Sequence, residues 1–217
     1  MQKVFKQIIV ALTVALGLFF ANPATYADAD EDIQEYTEQI KNNPNDTVTY
    51  FNRGYAYLEL KQYELAIKDF DKAVELKPNY APAYNNRGWA YKNLGQYEQA
   101  IQDYSKALQL NPNLADAYSN RGVAYVEGSR QYELAIADYD KALELNPNYF
   151  EAYYNRGIAY YGLEQYERAI QDYNKAIELN PNEAKAYYNR GMCYQELGDK
   201  EKAQADFDKA KELGYNG

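Results

Sequence analysis

Tyr84-Asn85-Asn86-Arg87-Gly88-Trp89-Ala90-Tyr91, followed by Gly95-Gln96-Tyr97 and closed by Ala100, Tyr104, Ala107 and Asn111-Pro112-Asn113, is the stretch from which the whole chain can be read. Tyr84, Gly88 and Tyr91 are four and three residues apart, which puts them on one helix face. Ala100, Tyr104 and Ala107 repeat that spacing in a second run. Gly95-Gln96 falls between the runs and breaks them. Pro112, flanked by asparagines that suit turns, stops the second. The stretch therefore predicts a helical hairpin. Gly88, Ala100 and Ala107 let its helices approach closely, and the tyrosine rings fill the space beside them as core.

The hairpin recurs. Asn-Arg-Gly occurs five times, with its glycine at Gly54, Gly88, Gly122, Gly157 and Gly191, at spacings of 34, 34, 35 and 34. Pro44, Pro78, Pro112, Pro147 and Pro181 keep the same period. A fixed period of this size means stacked repeats. The one extra residue lies in Gly128-Ser129-Arg130, where a tolerant turn is expected. Tyr84, Gly88, Tyr91, Gly95, Tyr97, Ala100, Tyr104, Ala107 and Pro112 together resemble the tetratricopeptide repeat (TPR) family, and the match runs over residues 47–217. The long Tyr-rich Asn-Arg-Gly units are similar to those of cyanobacterial TPR proteins. The resemblance implies an all-α fold: a right-handed α-solenoid of five hairpins, at 47–80, 81–114, 115–149, 150–183 and 184–217. It also implies a scaffold or adaptor that holds protein partners. The chain departs from the family pattern in the arginine of Asn-Arg-Gly, where an apolar residue is usual. Lys61 and Glu164 stand for the turn glycine, and Lys200 for the last inter-helix tyrosine.

Both ends of the array can be read. In the second helices of the first four units one flank is apolar: Tyr63/Ile67/Val74, Tyr97/Ile101/Leu108, Tyr132/Ile136/Leu143 and Tyr166/Ile170/Ile177. In the fifth it becomes Lys200/Gln204/Lys211, so no sixth repeat is expected to pack there. At the other end, residues 28–46 hold an acidic segment and a helix expected over Glu31–Asn42. Its Ile33, Tyr36 and Ile40 face the following repeat, while Asp32 and Gln39 replace the alanine pair that would meet a partner helix. This is a half-repeat cap, as solenoids require. Asp28-Ala-Asp-Glu-Asp32 lacks the glycine and later glutamate of a calcium loop and reads as a helix start.

Residues 1–27 read as a secretory signal peptide. Lys3 and Lys6 precede an apolar run of 13 residues, Ile8–Phe20. As a helix that run is about 20 Å long, short of the roughly 30 Å hydrocarbon core. Small residues follow, and cleavage is expected after Ala27, with Ala29 the alternative. The segment carries two lysines and no acid, so its loss takes the net charge from −9 to −11. Periplasm, envelope, a thylakoid-lumen-like space or secretion is the expected location, with no stable membrane span after cleavage.

Composition excludes several chemistries. There is no histidine, which removes His-based triads and His-ligated zinc. One cysteine excludes an internal disulfide framework. The acidic balance argues against nucleic acid. Cys193 takes the slot of Ala56, Ala90, Ala124 and Ala159, so it reads as a small packed side chain and not a nucleophile. No catalytic residue, cofactor or metal is expected, and the chain is read as a non-enzyme. A glycan-processing enzyme using paired carboxylates is the weakest alternative. Asn45-Asp46-Thr47 fits a glycosylation acceptor if the source is a eukaryote.

The partner site is sought on the first helices, which line the concave surface in TPR proteins. At roughly 100° per residue, Asn86 falls about 160° from Gly88 and so points away from the core, with Trp89 beside it. Asn52, Asn86, Asn120, Asn155 and Asn189 should then form a line, accompanied by Tyr55, Trp89, Asn85, Tyr154, Tyr161 and Tyr188. Amides can donate to and accept from a peptide backbone, and aromatic rings give large contact area. The line resembles the asparagine ladder of the TPR superhelix in O-linked N-acetylglucosamine transferase. The equal alternative is that each asparagine only serves neighbouring helices. The carboxylate clamp of chaperone-binding TPRs is not matched, because its positions hold Phe51, Tyr55, Asn86, Asp116 and Asn120. A peptide or helical segment in the groove is expected, with self-association into a homodimer as the second reading. The arginines of Asn-Arg-Gly and the recurring Asp69, Asp103, Asp138, Asp172 and Asp206 suggest inter-helix ion pairs.

Overall fold

The computed structural model describes residues 23–215. Most of the signal segment lies outside these residues. The described residues form eleven helices and no strand. They divide into two units, with Leu76 ending the first and Lys77 opening the second.

The first unit holds α1 (Pro23–Asn42), α2 (Thr47–Glu59) and α3 (Tyr63–Leu76). Asp46 caps α2, its carboxylate accepting from the Val48 N–H. Helix α1 begins eight residues earlier than the Glu31 expected, so it runs through the segment where cleavage is expected. It packs on α2 as a second helix would. Ile33, Tyr36 and Ile40 are half-buried.

The second unit holds four hairpins: α4 (Ala81–Asn93) with α5 (Tyr97–Leu110), α6 (Ala115–Ser129) with α7 (Tyr132–Leu145), α8 (Phe150–Gly162) with α9 (Tyr166–Leu179), and α10 (Ala184–Glu196) with α11 (Lys200–Glu212). Each second helix also packs on the first helix of the next hairpin. Successive first helices touch one another as well, whereas successive second helices among the described residues do not. The stack therefore bends toward α4, α6, α8 and α10, which form its inner row.

The core is built from alanines and one ring per hairpin. Tyr104, Tyr139 and Tyr173 are buried, each against the glycine of its own first helix. A Cβ at Gly122 would lie 2.7 Å from Tyr139 Cε1, so only glycine admits the ring there. Lys61 and Glu164 hold the left-handed conformation of the turn glycine they replace, with φ of 57° and 59°. The extra residue is absorbed differently from the expectation. Helix α6 has 15 residues where α4, α8 and α10 have 13, and the turn after it is shorter. Arg130 takes the left-handed position, and the Gln131 N–H bonds the Tyr125 carbonyl six residues back, against five for Gln96 and Gln165.

Lys200, Gln204 and Lys211 are exposed, while Tyr166, Ile170 and Ile177 are half-buried where α9 packs on α10. Deleting residues 184–217 should therefore expose that apolar flank and give concentration-dependent aggregation in light scattering. A truncated chain as soluble and stable as the parent would refute the capping role.

Candidate functional site

One side of each first helix is committed to structure. Arg53, Arg87, Arg121, Arg156 and Arg190 each hold the aspartate of their own hairpin by two parallel bonds, Nε and Nη2 to the two carboxylate oxygens, at 2.7–2.8 Å. The aspartates are buried and the arginines half-buried. Burial opposes the charge on both partners and pushes the Asp138 and Asp172 carboxyls up. It also works against the Arg121 and Arg156 charges, but the carboxylates outweigh it and hold both guanidiniums more firmly protonated. With bidentate geometry and an arginine that stays charged, these are ion pairs.

Four of these guanidiniums have a further task that the sequence did not reveal. The Nη1 of Arg121, Arg156 and Arg190 reaches back to the preceding second helix: to Ser105 at 2.9 Å, Asp140 at 2.5 Å and Asn174 at 2.6 Å. In the first unit, Arg53 Nη1 donates to Thr37 of α1 at 3.0 Å, sixteen residues back as in the other three, so α1 stands in the register of a second helix. The same guanidiniums lie over tyrosine rings. Arg121, for example, is 5.7 Å from the Tyr118 centroid and 6.0 Å from that of Tyr125.

The other side of the inner row carries the residues proposed from sequence. Asn85, Asn86, Trp89, Asn120, Tyr154, Asn155, Tyr161, Tyr188 and Asn189 all lie on first helices of the second unit and are half-buried. Asn52 and Tyr55 occupy the same positions on α2 of the first unit. The structure differentiates these residues. The Tyr154 and Tyr188 rings pack on their own hairpin cores, 6.0 Å from Tyr173 and 5.4 Å from Phe207, and so serve partly as filler. Asn189 Nδ2 donates to the Tyr154 hydroxyl at 3.1 Å, which ties one member of the asparagine line to a neighbouring helix. Asn85 Nδ2 donates to Asn86 Oδ1 at 3.3 Å. That leaves Asn85 Oδ1 and Asn86 Nδ2 buried without a partner, together with the Tyr104 hydroxyl.

Polar groups that the sequence did not single out complete the surface. Burial, together with the Asp116 charge, pushes the Tyr149 phenol up. Lys92 is half-buried, its ammonium 5.9 Å from the Trp89 ring centroid. Burial pulls the Lys92 pKa down while Glu127 pulls it up. Burial raises the Cys193 thiol to about 12, which agrees with a packed side chain and leaves no thiolate at neutral pH. No group of acids and cysteine suited to a metal ion occurs among the described residues.

Stacked hairpins with an inner row of aromatic and amide side chains define a helical-repeat interaction scaffold. The chain belongs to the tetratricopeptide repeat family. Tetratricopeptide repeat profiles match residues 48–80, 81–114 and 150–183, a TPR repeat profile matches 131–164, and another tetratricopeptide repeat profile matches 172–205. No curated protein sequence matches the chain significantly. Among solved structures, YrrB, a TPR protein with an unusual peptide-binding site, is 29% identical with a TM-score of 0.70, over 82% of this chain and 92% of that one. MamA from Desulfovibrio magneticus RS-1 (41-end) is 29% identical with a TM-score of 0.72, over 77% of this chain and 94% of that one. Another MamA structure is 28% identical with a TM-score of 0.71, over 77% and 91%.

Proposed function

We propose that this chain is a non-catalytic adaptor that holds a peptide or helical segment of a partner protein along the inner row of first helices, outside the cytoplasm, in envelope or membrane-complex assembly. The observation that carries the binding site is Trp89. It is a large aromatic on a first helix that lies outside the alanine and tyrosine core and shares its surface with Lys92, Asn86 and Asn120. The peptide-binding site of YrrB supports a peptide as ligand. The net charge of −9 favours a neutral or basic partner and salt-sensitive association rates.

The test starts with crosslinking in the native compartment and mass spectrometry to recover the partner. Its affinity is then measured for Trp89→Ala and for Asn86→Ala/Asn120→Ala, each first shown to keep its helicity. Tyr154 is a poor probe because it also packs on Tyr173. Trp89→Ala should weaken binding by about 30-fold, the effect of losing an aromatic anchor. The paired asparagine variant should weaken it less and relax sequence preference little. Unchanged binding in both would move the site off the inner row.

Export is supported by the order of the first residues: lysines, a short apolar run, then small residues. No helix among the described residues is long and apolar enough to cross a membrane. Intact mass of the protein recovered from the exported fraction should place the mature N-terminus at Asp28. Met1 retained in a membrane fraction would show an anchor instead.

A further inference from the structure

We propose that the α10 end of the inner row is a subsite for one aromatic side chain of the bound segment, and that Tyr215 of the chain's own tail occupies it as a built-in competitor; this rests on the inner-row reading above. Tyr188 of α10 meets two rings. One is Phe207 of its own hairpin, at 5.4 Å and 46°. The other is Tyr215, closer still at 4.6 Å and 45°. Tyr215 follows α11. Gly214 takes φ of 94° there, and the Tyr215 N–H donates to the Ala210 carbonyl at 2.9 Å, so the chain doubles back on the end of its helix. After α5, α7 and α9 the position of Gly214 holds Asn111, Asn146 and Asn180, with φ of −141°, −136° and −135°. That extended backbone leads on to the next hairpin, whereas Gly214 returns a ring to the inner row.

The contact is suited to exchange. Tyr215 lies outside the helices and stays half-exposed, so its departure breaks no helix. A partner's ring in its place keeps Tyr188 covered, so the swap adds no exposed apolar surface to the array. In the preceding hairpin the equivalent Tyr154 takes its second ring from its own helix, Phe150 at 6.0 Å. In α10 the position of Phe150 is held by Ala184, and Tyr215 supplies the second ring instead. Tilted aromatic pairs are favourable beyond the area they bury, which makes the subsite prefer a ring to an aliphatic chain. A tethered competitor lowers the partner's apparent affinity. A site that the tail leaves open about one-tenth of the time binds about tenfold more weakly than the same site left free.

The test uses a random dodecapeptide pool selected on the immobilised full chain, with sequencing of the bound fraction. Enriched peptides should carry tyrosine, phenylalanine or tryptophan. One of them is resynthesised with leucine at each aromatic register in turn, and affinities for the parent and for Tyr215→Ala are read by fluorescence anisotropy. Tyr215→Ala, whose helicity should be unchanged because the residue lies beyond α11, is expected to bind the aromatic peptide about tenfold more tightly. The gain should shrink to under about twofold when leucine replaces one particular ring. As a second readout, 4-fluorophenylalanine in place of Tyr215 should show a fluorine NMR signal that moves toward that of a free tail on saturation with the aromatic peptide. Unchanged or weaker binding by Tyr215→Ala, an equal gain for every peptide, selected peptides without a ring, or a fluorine signal indifferent to saturating peptide would each overturn the subsite and leave the tail a structural cap. If Trp89→Ala weakens binding while Tyr215→Ala changes nothing, the subsite fails and the inner row stands. If Tyr215→Ala gives the gain while Trp89→Ala has no effect, the subsite stands and the anchor assigned to Trp89 fails. If neither variant changes binding, both readings fail.

Discussion

Arg121→Met is expected to destabilise the chain by about 3–5 kcal/mol, because it leaves the buried Asp138 carboxylate without its counter-charge. Methionine keeps the unbranched reach of the side chain and much of its contact with Tyr118 and Tyr125, so the loss reports charge and hydrogen bonding more than packing. Three bonds disappear together: two to Asp138 at 2.7 Å and one to Ser105 of the preceding hairpin at 2.9 Å. Arg121→Met/Asp138→Leu should recover most of the stability, since an apolar pair of similar volume replaces a desolvated ion pair at little net cost. Denaturant midpoints followed by circular dichroism, beside Trp89 fluorescence, would show both effects and whether the array still unfolds as one unit. A loss under about 1 kcal/mol in the single variant would mean that the pair behaves as a solvated surface bridge.

Alkali should unfold the chain outright. Burial pushes the Tyr36 and Tyr55 phenols up to about 12, with nearby acids such as Glu59 adding to it. Burial also raises Tyr104, Tyr139 and Tyr173, the rings at the centres of three hairpins. An unfolded tyrosine ionises near pH 10. A folded-state pKa above that value means that the fold binds the proton more tightly than the unfolded chain. The stability held by neutral phenols is therefore complete below about pH 10 and drains away as pH rises through the folded values. Tyrosinate absorbance and loss of helical dichroism should rise together, in one cooperative step between about pH 10 and 12. Phenols that titrate gradually while helicity persists would contradict the burial of these rings.

The hairpins, their period, the position of the core rings and the pairing of each arginine with its aspartate were legible in the sequence, because all depend on spacing within helices. The 16-residue separation of Arg156 and Asp172 recurs wherever two helices are joined by the same turn, and becomes 17 for Arg121 and Asp138, where one residue is inserted. Expectations were less accurate where a boundary was involved. The inserted residue lengthens α6 instead of its turn, since two further helical residues satisfy backbone groups that a longer loop would expose. Helix α1 likewise extends beyond the start expected at Glu31.

The asparagine line shows the limit of a helical wheel. Spacing placed Asn86, Asn120, Asn155 and Asn189 on one side of their helices, and they do lie on the inner row. Spacing did not tell that Asn189 would donate to Tyr154 on a neighbouring helix, or that Asn85 and Asn86 would bond each other. The sequence by itself determined the repeat, the helices and which face of each is apolar, because those follow from the helical period. Only the tertiary structure decided which polar groups meet across hairpins, because the angle and offset at which one hairpin stacks on the next are set by the joint packing of alanines and rings from several helices.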